Sequence, residues 1–337
     1  MMIGGREMRK IEIDDTIRGY AQDYASKVKV KCPKVVDDLE KLRNYVAAHN
    51  PGIDKTAVTD YIGLLISDYP AVLTLEPKDW NAYIQKYDVV LQREPTMLTR
   101  KVVYGVSGKG KVHEAPFYER IISCLRYEDA RLILGEIQQQ MGLKTCVYCN
   151  VIPTISNDEQ VYYQMDHYQP QSKYPFLGTC FYNLQPSCGI CNGHKGKKDS
   201  DFGLYVNADQ HKVLSPFRFV PKVSCGIGPY PTCSEILFKG SGKRVTKESK
   251  VHEKMFHIDS LYAGRINEVS KLYENAFKTN DSLVQAMAAS YGFENTKANA
   301  IAYLSNQLSL NEADIHKEPL TKLRQDTIKQ MKEGGVI

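Results

Sequence analysis

Two Cys-x-x-Cys pairs in the middle of the chain have the spacing of a metal site. The pairs are Cys146/Cys149 and Cys188/Cys191, with 38 residues between them. Zinc binds four thiolates at about 2.3 Å, and a two-residue gap lets one tight turn present two sulfurs to one ion. The two pairs together therefore predict a structural Zn²⁺ site. Taken alone, they leave open a plain zinc module that only holds the fold.

Other residues in the same region suit a second metal with a catalytic role. Asp166 and His167 are adjacent, and Asn192 directly follows the last cysteine. Carboxylate and amide oxygens are ligands for a hard cation such as Mg²⁺ or Mn²⁺. Histidine suits a general base because its ordinary pKa of about 6.5 keeps the neutral form available at neutral pH. We therefore predict Asp166 and Asn192 as ligands of a catalytic cation and His167 as the base.

The choice of Asn192 as a ligand depends on helical geometry after Cys191. If a helix begins here, Asn192 is rotated by about 100° from Cys191 and can face a different metal. His194 is then about 200° from Asn192 and points away, whereas Lys195 returns to the face of Asn192, where it could touch a phosphate. Asn192 is the preferred ligand, and His194 stays an open alternative.

Composition restricts the class of protein only broadly. The chain has 337 residues, 42% of them hydrophobic and 25% charged, with a net charge of +5. This charge permits a nucleic-acid partner without requiring one. No stretch reaches the roughly 18–20 apolar residues of a membrane span, and the charged N-terminus lacks the apolar centre of a secretion signal. With four of nine cysteines in metal spacing, we expect a cytoplasmic, reduced protein that does not enter a membrane.

Hydrophobic periodicity divides the chain into four segments. We predict a helical N-terminal region (1–143), a core that carries the chemistry (144–200), short strands and loops (201–255) and a helical C-terminal region (256–337). In the core, the β-rich stretch 161–168 predicts a strand that ends at the Asp-His pair.

Individual elements of the N-terminal region have recognisable signals. One helix has Val36, Leu39, Leu42 and Val46 at three- and four-residue steps. A second runs over 55–68 behind the capping residue Asp54, and Gly142 stands where a C-terminal glycine cap belongs.

The order C-x-x-C, D-H-x-x-P-x-S-K, N-L, C-x-x-C-N-x-x-K resembles the zinc-containing HNH endonuclease family. The stretch YQMDHYQPQSKYPFLGTCFYNLQPSCGICNGHKGKK is similar to HNH nucleases of bacterial defence loci, including the nuclease subunit of Septu and retron-linked Septu systems. The resemblance implies an α+β fold: a ββα-metal core with treble-clef-like zinc, flanked by mainly α-helical regions. It also implies that Asn183, the central asparagine of the motif, orients His167. One departure is that the third position of the motif is Asn192 rather than histidine.

The implied activity is metal-dependent hydrolysis of phosphodiester bonds in DNA, in anti-phage defence. Lys173, Lys195 and Lys197 lie around the motif and are candidate contacts to nucleic acid. Two alternatives stay open: an endonuclease acting on RNA such as tRNA, and a non-catalytic zinc module that binds nucleic acid or a protein. The chain has no P-loop, and the resemblance implies a separate partner ATPase that docks on the terminal helices.

Overall fold

The computed structural model describes the chain except for residues 1–8, 107–111, 158, 199, 201, 209–213, 227 and 242–245. Helices predominate, and short paired strands lie among them, so the fold is mixed α and β. Within these described ranges, no helix has both the length and the apolar character that crossing a membrane requires.

In the part of the chain that the structure describes, six helices precede the first cysteine pair. They are α1 (Asp15–Lys31), α2 (Val35–His49), α3 (Lys55–Val72), α4 (Trp80–Leu91), α5 (Phe117–Cys124) and α6 (Tyr127–Gln140). Among the same described residues, seven more begin after that pair: α7 (Gly189–Lys195), α8 (Thr246–Phe256), α9 (Ile258–Ala263), α10 (Ile266–Lys278), α11 (Asp281–Tyr291), α12 (Lys297–Leu304) and α13 (Thr321–Glu333). Helix α8 begins within the segment expected to contain only strands and loops.

Over the described residues, the strands form four two-stranded pairs. Strands β2 (Lys101–Val106) and β3 (Val112–Pro116), β4 (Gln164–His167) and β5 (Leu184–Ser187), and β7 (Phe217–Ser224) and β8 (Thr232–Gly240) are antiparallel. The fourth pair is parallel and joins β1 (Ile11–Glu12) to β6 (Tyr205–Val206). The predicted strand ending at the Asp-His pair is confirmed by β4.

The helix signals of the N-terminal region are largely confirmed. Leu39, Leu42 and Val46 of α2 are buried as predicted. The fourth buried apolar residue on this face is Val35 and not Val36, which is exposed. A one-residue shift moves a side chain by about 100° around a helix, which is enough to leave the buried face.

The two predicted capping residues are also found, although α3 continues to Val72, beyond the predicted end at residue 68. Helix α3 begins after Asp54, whose carboxylate accepts hydrogen bonds from the backbone of Thr56 and Ala57. Gly142 follows α6 with a φ of +75°, the left-handed geometry that favours glycine.

The C-terminal helices hold the first cysteine pair in place. His252 of α8 has Nε2 2.8 Å from the carbonyl oxygen of Tyr148, and the Tyr262 hydroxyl of α9 donates to the carbonyl of Cys149 at 2.8 Å. All of these side chains are buried. The turn between the first two cysteines thus depends on helices that lie more than 100 residues later in the chain.

Asn150 extends this attachment toward α13. Its backbone is left-handed, with a φ of +53°. Its carbonyl accepts from the backbone of Leu320 at 2.7 Å, its Oδ1 accepts from the backbone of Lys322 at 3.0 Å, and its Nδ2 donates to Ile315 at 2.9 Å. One hydrophobic cluster, from Ile13 to Met331, includes buried residues of the N-terminal, middle and C-terminal parts.

The buried His252 predicts an acid-sensitive fold. In the folded protein burial lowers the pKa of His252 from 6.5 to about 4. The unfolded chain therefore binds more protons between these values, so this contribution is complete above about pH 6.5 and is lost as the pH falls toward about 4. We expect His252 to account for a loss of about 2 kcal/mol in unfolding free energy between about pH 7 and 5.

Urea unfolding of wild type and His252→Gln at pH 7 and pH 5 measures how much of the loss in unfolding free energy comes from His252. Glutamine keeps a hydrogen-bond donor but does not titrate. The exposed His49 provides the matched control, His49→Gln. An equal loss of stability on acidification in wild type and His252→Gln would contradict the assignment.

Candidate metal centre and active site

The four cysteines of the two Cys-x-x-Cys pairs meet in one buried cluster. Their Sγ atoms all lie within 4.8 Å of one another. A tetrahedral zinc with bonds of about 2.3 Å separates its sulfurs by about 3.8 Å, which this cluster accommodates. The cluster can therefore hold a metal such as zinc, as the spacing predicts.

The first cysteine pair lies on a turn, whereas the second lies at the start of a helix. Cys146 and Cys149 lie on a turn, closed by the Cys146 N–H donating to Ile152 O at 2.9 Å. Cys188 is the N-cap of α7, where its sulfur accepts from the backbone N–H of Cys191 at 3.4 Å. The helix geometry expected after the second pair is thus present, and one metal would join the turn to the start of α7.

Beside the cluster, Asp166, His167 and Asn192 line one open pocket of about 490 Å³. Asp166 and His167 are the last two residues of β4, and Asn192 lies in the first half of α7. Because β4 pairs with β5 and α7 follows directly, the site has the order strand, strand, helix. The structure brings together the three residues predicted as base and metal ligands.

His194, the alternative ligand, lies on another side of α7. Its ring is exposed and packs edge-on against His257, with 4.8 Å between centroids. The residues that line the pocket within the described chain include Asn192 and not His194. The helical rotation used to prefer Asn192 therefore agrees with the geometry.

The His167 ring is held by one hydrogen bond to the backbone. Its Nε2 lies 3.0 Å from the carbonyl oxygen of Gly178, which can only accept, so Nε2 carries the proton and Nδ1 is the acceptor. The Tyr127 ring packs beside it with 5.1 Å between centroids. Burial lowers the pKa of His167 to about 4. The imidazole is thus neutral at neutral pH, the form that a general base requires.

Asn183 is buried in the loop that holds the histidine. Its Oδ1 accepts from the backbone of Gln169 at 2.7 Å, and its Nδ2 donates to the carbonyls of Gln169 at 3.2 Å and Leu177 at 3.1 Å. Leu177 directly precedes Gly178, the acceptor for His167. The asparagine can therefore orient the histidine through the loop backbone.

Asp166 is buried, and its carboxylate is bonded at both oxygens. Oδ1 lies 3.0 Å from Nζ of Lys195, and Oδ2 accepts a hydrogen bond from the Tyr148 hydroxyl. Burial raises the pKa of Tyr148 well above its ordinary value, which keeps this hydroxyl a donor. Gln185, opposite Asp166 in the β4–β5 register, donates to the same hydroxyl.

The position of Lys195 differs from the prediction that its side chain contacts nucleic acid. Its side chain is buried, and Nζ also donates to the carbonyl of His167 at 2.7 Å. In this arrangement the ammonium faces the protein interior rather than a phosphate. Sequence spacing alone does not predict that this lysine is buried beside a carboxylate, because its long side chain can extend either to solvent or into the interior.

The other basic residues are placed at or near the pocket. Lys197 lines it, with Nζ 5.6 Å from the centre of the Tyr118 ring, while Lys173 is exposed on the loop after β4. Arg131 of α6 also lines it and bonds the carbonyl of Tyr163 at 2.6 Å. Arg131 has no signal in the sequence, because it lies outside the motif in an ordinary amphipathic helix.

The oxygen donors around the pocket fit a hard divalent cation. The Nδ2 of Asn192 donates to Oε1 of Gln164 at 2.5 Å, which leaves its Oδ1 as the acceptor. Each Asp166 oxygen keeps a second lone pair beside its present bond. Asp166 and Asn192 are therefore able to hold such a cation, with room in the pocket for further ligands.

Comparison with known proteins finds a partial similarity. A stretch of 68 residues is 39% identical to Septu protein PtuB of Bacillus thuringiensis. It covers 20% of this chain and 25% of the relative, so the chain spans about a quarter of the protein it matches. No family model matches the chain, and no solved structure matches it. The similarity suggests a link to Septu proteins.

The cluster predicts that zinc is part of the folded protein. Replacing one ligand, as in Cys191→Ser, should reduce bound zinc from one ion per chain to near none and lower the thermal midpoint, because metal binding contributes directly to folding. Elemental analysis of the purified protein, with a thermal melt, measures both. The buried Cys233 lies outside the cluster, and Cys233→Ala should keep its zinc. Full zinc occupancy in Cys191→Ser would show that the cluster is not the site.

Proposed function

We propose that this chain is a metal-dependent endonuclease of the HNH type that cuts DNA. The observation that supports this most directly is the shared pocket of Asp166, His167 and Asn192 beside the four-cysteine cluster. A zinc module that only holds the fold does not need a half-buried neutral histidine and two oxygen donors at one open cavity. In this proposal the β4–β5 hairpin and α7 are the ββα core, and the cysteine cluster is its structural zinc site.

His167 would act as the general base. Its neutral Nδ1 accepts the proton of an attacking water, while the Nε2–H bond to Gly178 holds the ring in one tautomer. Asn183 keeps that carbonyl in place through its bonds to the loop backbone. The histidine can thus take up a proton without reorienting.

Asp166 and Asn192 would hold the catalytic cation, Mg²⁺ or Mn²⁺. When bound, that ion neutralises charge on the phosphate and stabilises the departing 3′ oxygen. The attack of water on phosphorus would break the bond to the 3′ oxygen, which takes up a proton from solvent, and would leave 5′-phosphate and 3′-hydroxyl ends. His167 and Asp166 both line the pocket, so the water that His167 deprotonates would lie next to the phosphate.

Positive side chains around the pocket support a nucleic-acid substrate. Arg131 and Lys197 line the cavity and Lys173 lies close by in sequence on the neighbouring loop. Ionic contacts of this kind recognise the phosphate backbone without reading bases. We favour DNA, in keeping with the resemblance to defence nucleases.

The similarity to a Septu protein supports a role in anti-phage defence. We further propose that the chain works with a partner ATPase docked on its terminal helices. The described C-terminal helices α10 to α12 present exposed apolar side chains, among them Phe277, Tyr291 and Leu304, on which a partner could pack.

The assignment of the base predicts a large loss of cleavage in His167→Ala. General-base catalysis contributes about 10²- to 10⁴-fold, so nicking of supercoiled plasmid with Mg²⁺ or Mn²⁺ should slow by a similar factor. The exposed His49 of α2 gives the matched control, His49→Ala, which should cut at the wild-type rate. Undiminished nicking by His167→Ala would remove His167 from the mechanism.

The same assay with labelled tRNA distinguishes a DNA endonuclease from an RNA endonuclease. Wild-type protein that cuts tRNA and leaves plasmid intact would make RNA the substrate. Binding of either nucleic acid without cleavage, in zinc-loaded protein supplied with Mn²⁺, would favour the non-catalytic module.

The choice between the two candidate ligands on α7 has its own test. We expect Asn192→Ala to weaken activation by Mg²⁺, so that about tenfold more metal is needed for half-maximal nicking. His194→Ala should leave the metal requirement unchanged, because this ring packs against His257. A shift in His194→Ala alone would reverse the assignment.

A further inference from the structure

We propose that Lys195 is a positioning residue that holds Asp166 and Asn192 at the spacing the catalytic cation needs. This inference rests on the proposed function, since it takes these two residues as the ligands. The side chain of Lys195 is buried and, in the described chain, does not line the pocket.

The ammonium of Lys195 approaches Asp166 from the protein side. The pocket is lined by Asp166, Asn192 and Gly196, and in the described chain Lys195 is not among its lining residues. The side chain of Lys195 is 0% exposed, compared with 4% for that of Asp166. The lysine therefore lies behind the carboxylate, and the place of the cation in front of it stays open.

The bonds of Lys195 restrict the carboxylate in more than one direction. Nζ donates to Oδ1 of Asp166 at 3.0 Å and to the carbonyl of His167 at 2.7 Å, while the Tyr148 hydroxyl donates to Oδ2. A carboxylate bonded at both oxygens cannot rotate freely about its χ2 angle. The same ammonium thus sets the orientation of Asp166 and the backbone at the end of β4.

Lys195 also sets the position of α7 against β4. Asn192 and Lys195 are three residues apart and share one face of the helix. Gln164 and Asp166 are two residues apart and share one face of the strand. Asn192 bonds Gln164 and Lys195 bonds Asp166, so two matched contacts determine the register of helix on strand. Loss of Lys195 would leave the Asn192–Gln164 contact in the middle of the helix without its partner at the end.

A competing role makes the opposite prediction. If the ammonium occupied the place of the cation, its removal would strengthen metal binding, because a like charge would be gone. A positioning role predicts weaker binding. Groups behind a metal ligand change metal affinity by about 10- to 100-fold when they are removed.

The test is Mn²⁺ binding to zinc-loaded protein without nucleic acid, followed by the electron paramagnetic resonance signal of free Mn²⁺. We expect Lys195→Met to raise the Kd for Mn²⁺ by about tenfold or more. Lys198→Met is the matched control, because Lys198 is exposed three residues further on, and its Kd should equal that of wild type. Asp166→Asn serves as a reference, since it should weaken binding if Mn²⁺ sits in the pocket. An unchanged or lower Kd in Lys195→Met overturns the proposal.

Zinc content and the thermal midpoint show whether each variant is folded. If Lys195→Met does not keep one zinc per chain, Lys195→Arg replaces it, because arginine retains the charge. A planar guanidinium cannot reproduce both ammonium bonds, so the Kd should still rise, and a wild-type Kd in Lys195→Arg would then overturn the proposal.

The outcomes separate this inference from the proposed nuclease. Plasmid nicking that depends on His167, with a wild-type Mn²⁺ affinity in folded Lys195→Met, rejects the role of Lys195 alone. Mn²⁺ binding that depends on Asp166 and Lys195, in protein that cuts no nucleic acid, rejects the proposed activity and keeps the role of Lys195.

Discussion

The turn from Cys146 to Asn150 is the constraint on which the rest of the structure depends. Its two cysteines supply half of the metal cluster. Between them, Tyr148 bonds the Asp166 carboxylate with its hydroxyl and His252 with its carbonyl. Asn150 then ties the turn to the segment before α13 and to its start. Five consecutive residues therefore join the metal site, the pocket and the C-terminal helices.

This arrangement explains why the pocket can contain buried charge. The Asp166 carboxylate and the Lys195 ammonium are both removed from water, which is costly unless every bond is made. Tyr148, held by Gln185 and by its stacking on Phe256, completes those bonds. The opposite side of the site is organised by backbone: Asn183 holds the loop whose Gly178 carbonyl fixes His167. A rigid turn and a rigid loop thus place acid and base groups next to one pocket.

Local signals predicted much of the architecture. The caps at Asp54 and Gly142, the helices α2 and α3, and the strand that ends at His167 follow from rules that act within a few residues. The parallel pairing of β1 with β6 joins residues 11–12 to residues 205–206 and has no local pattern. The hydrogen bonds that join α8, α9 and α13 to the cysteine turn were also not predicted, because their partners are more than 100 residues apart in the sequence.

The sequence by itself determined which groups could do chemistry: four thiols at metal spacing, an adjacent carboxylate and imidazole, and an asparagine one helical step beyond the last cysteine. Spacing is sufficient there because a turn and the first turn of a helix have known geometry. Only the tertiary structure decided where Lys195 points and what holds Asp166. A lysine at that helical position can reach solvent or the interior, and the choice depends on a tyrosine from another turn and on the end of a strand, both brought there by packing.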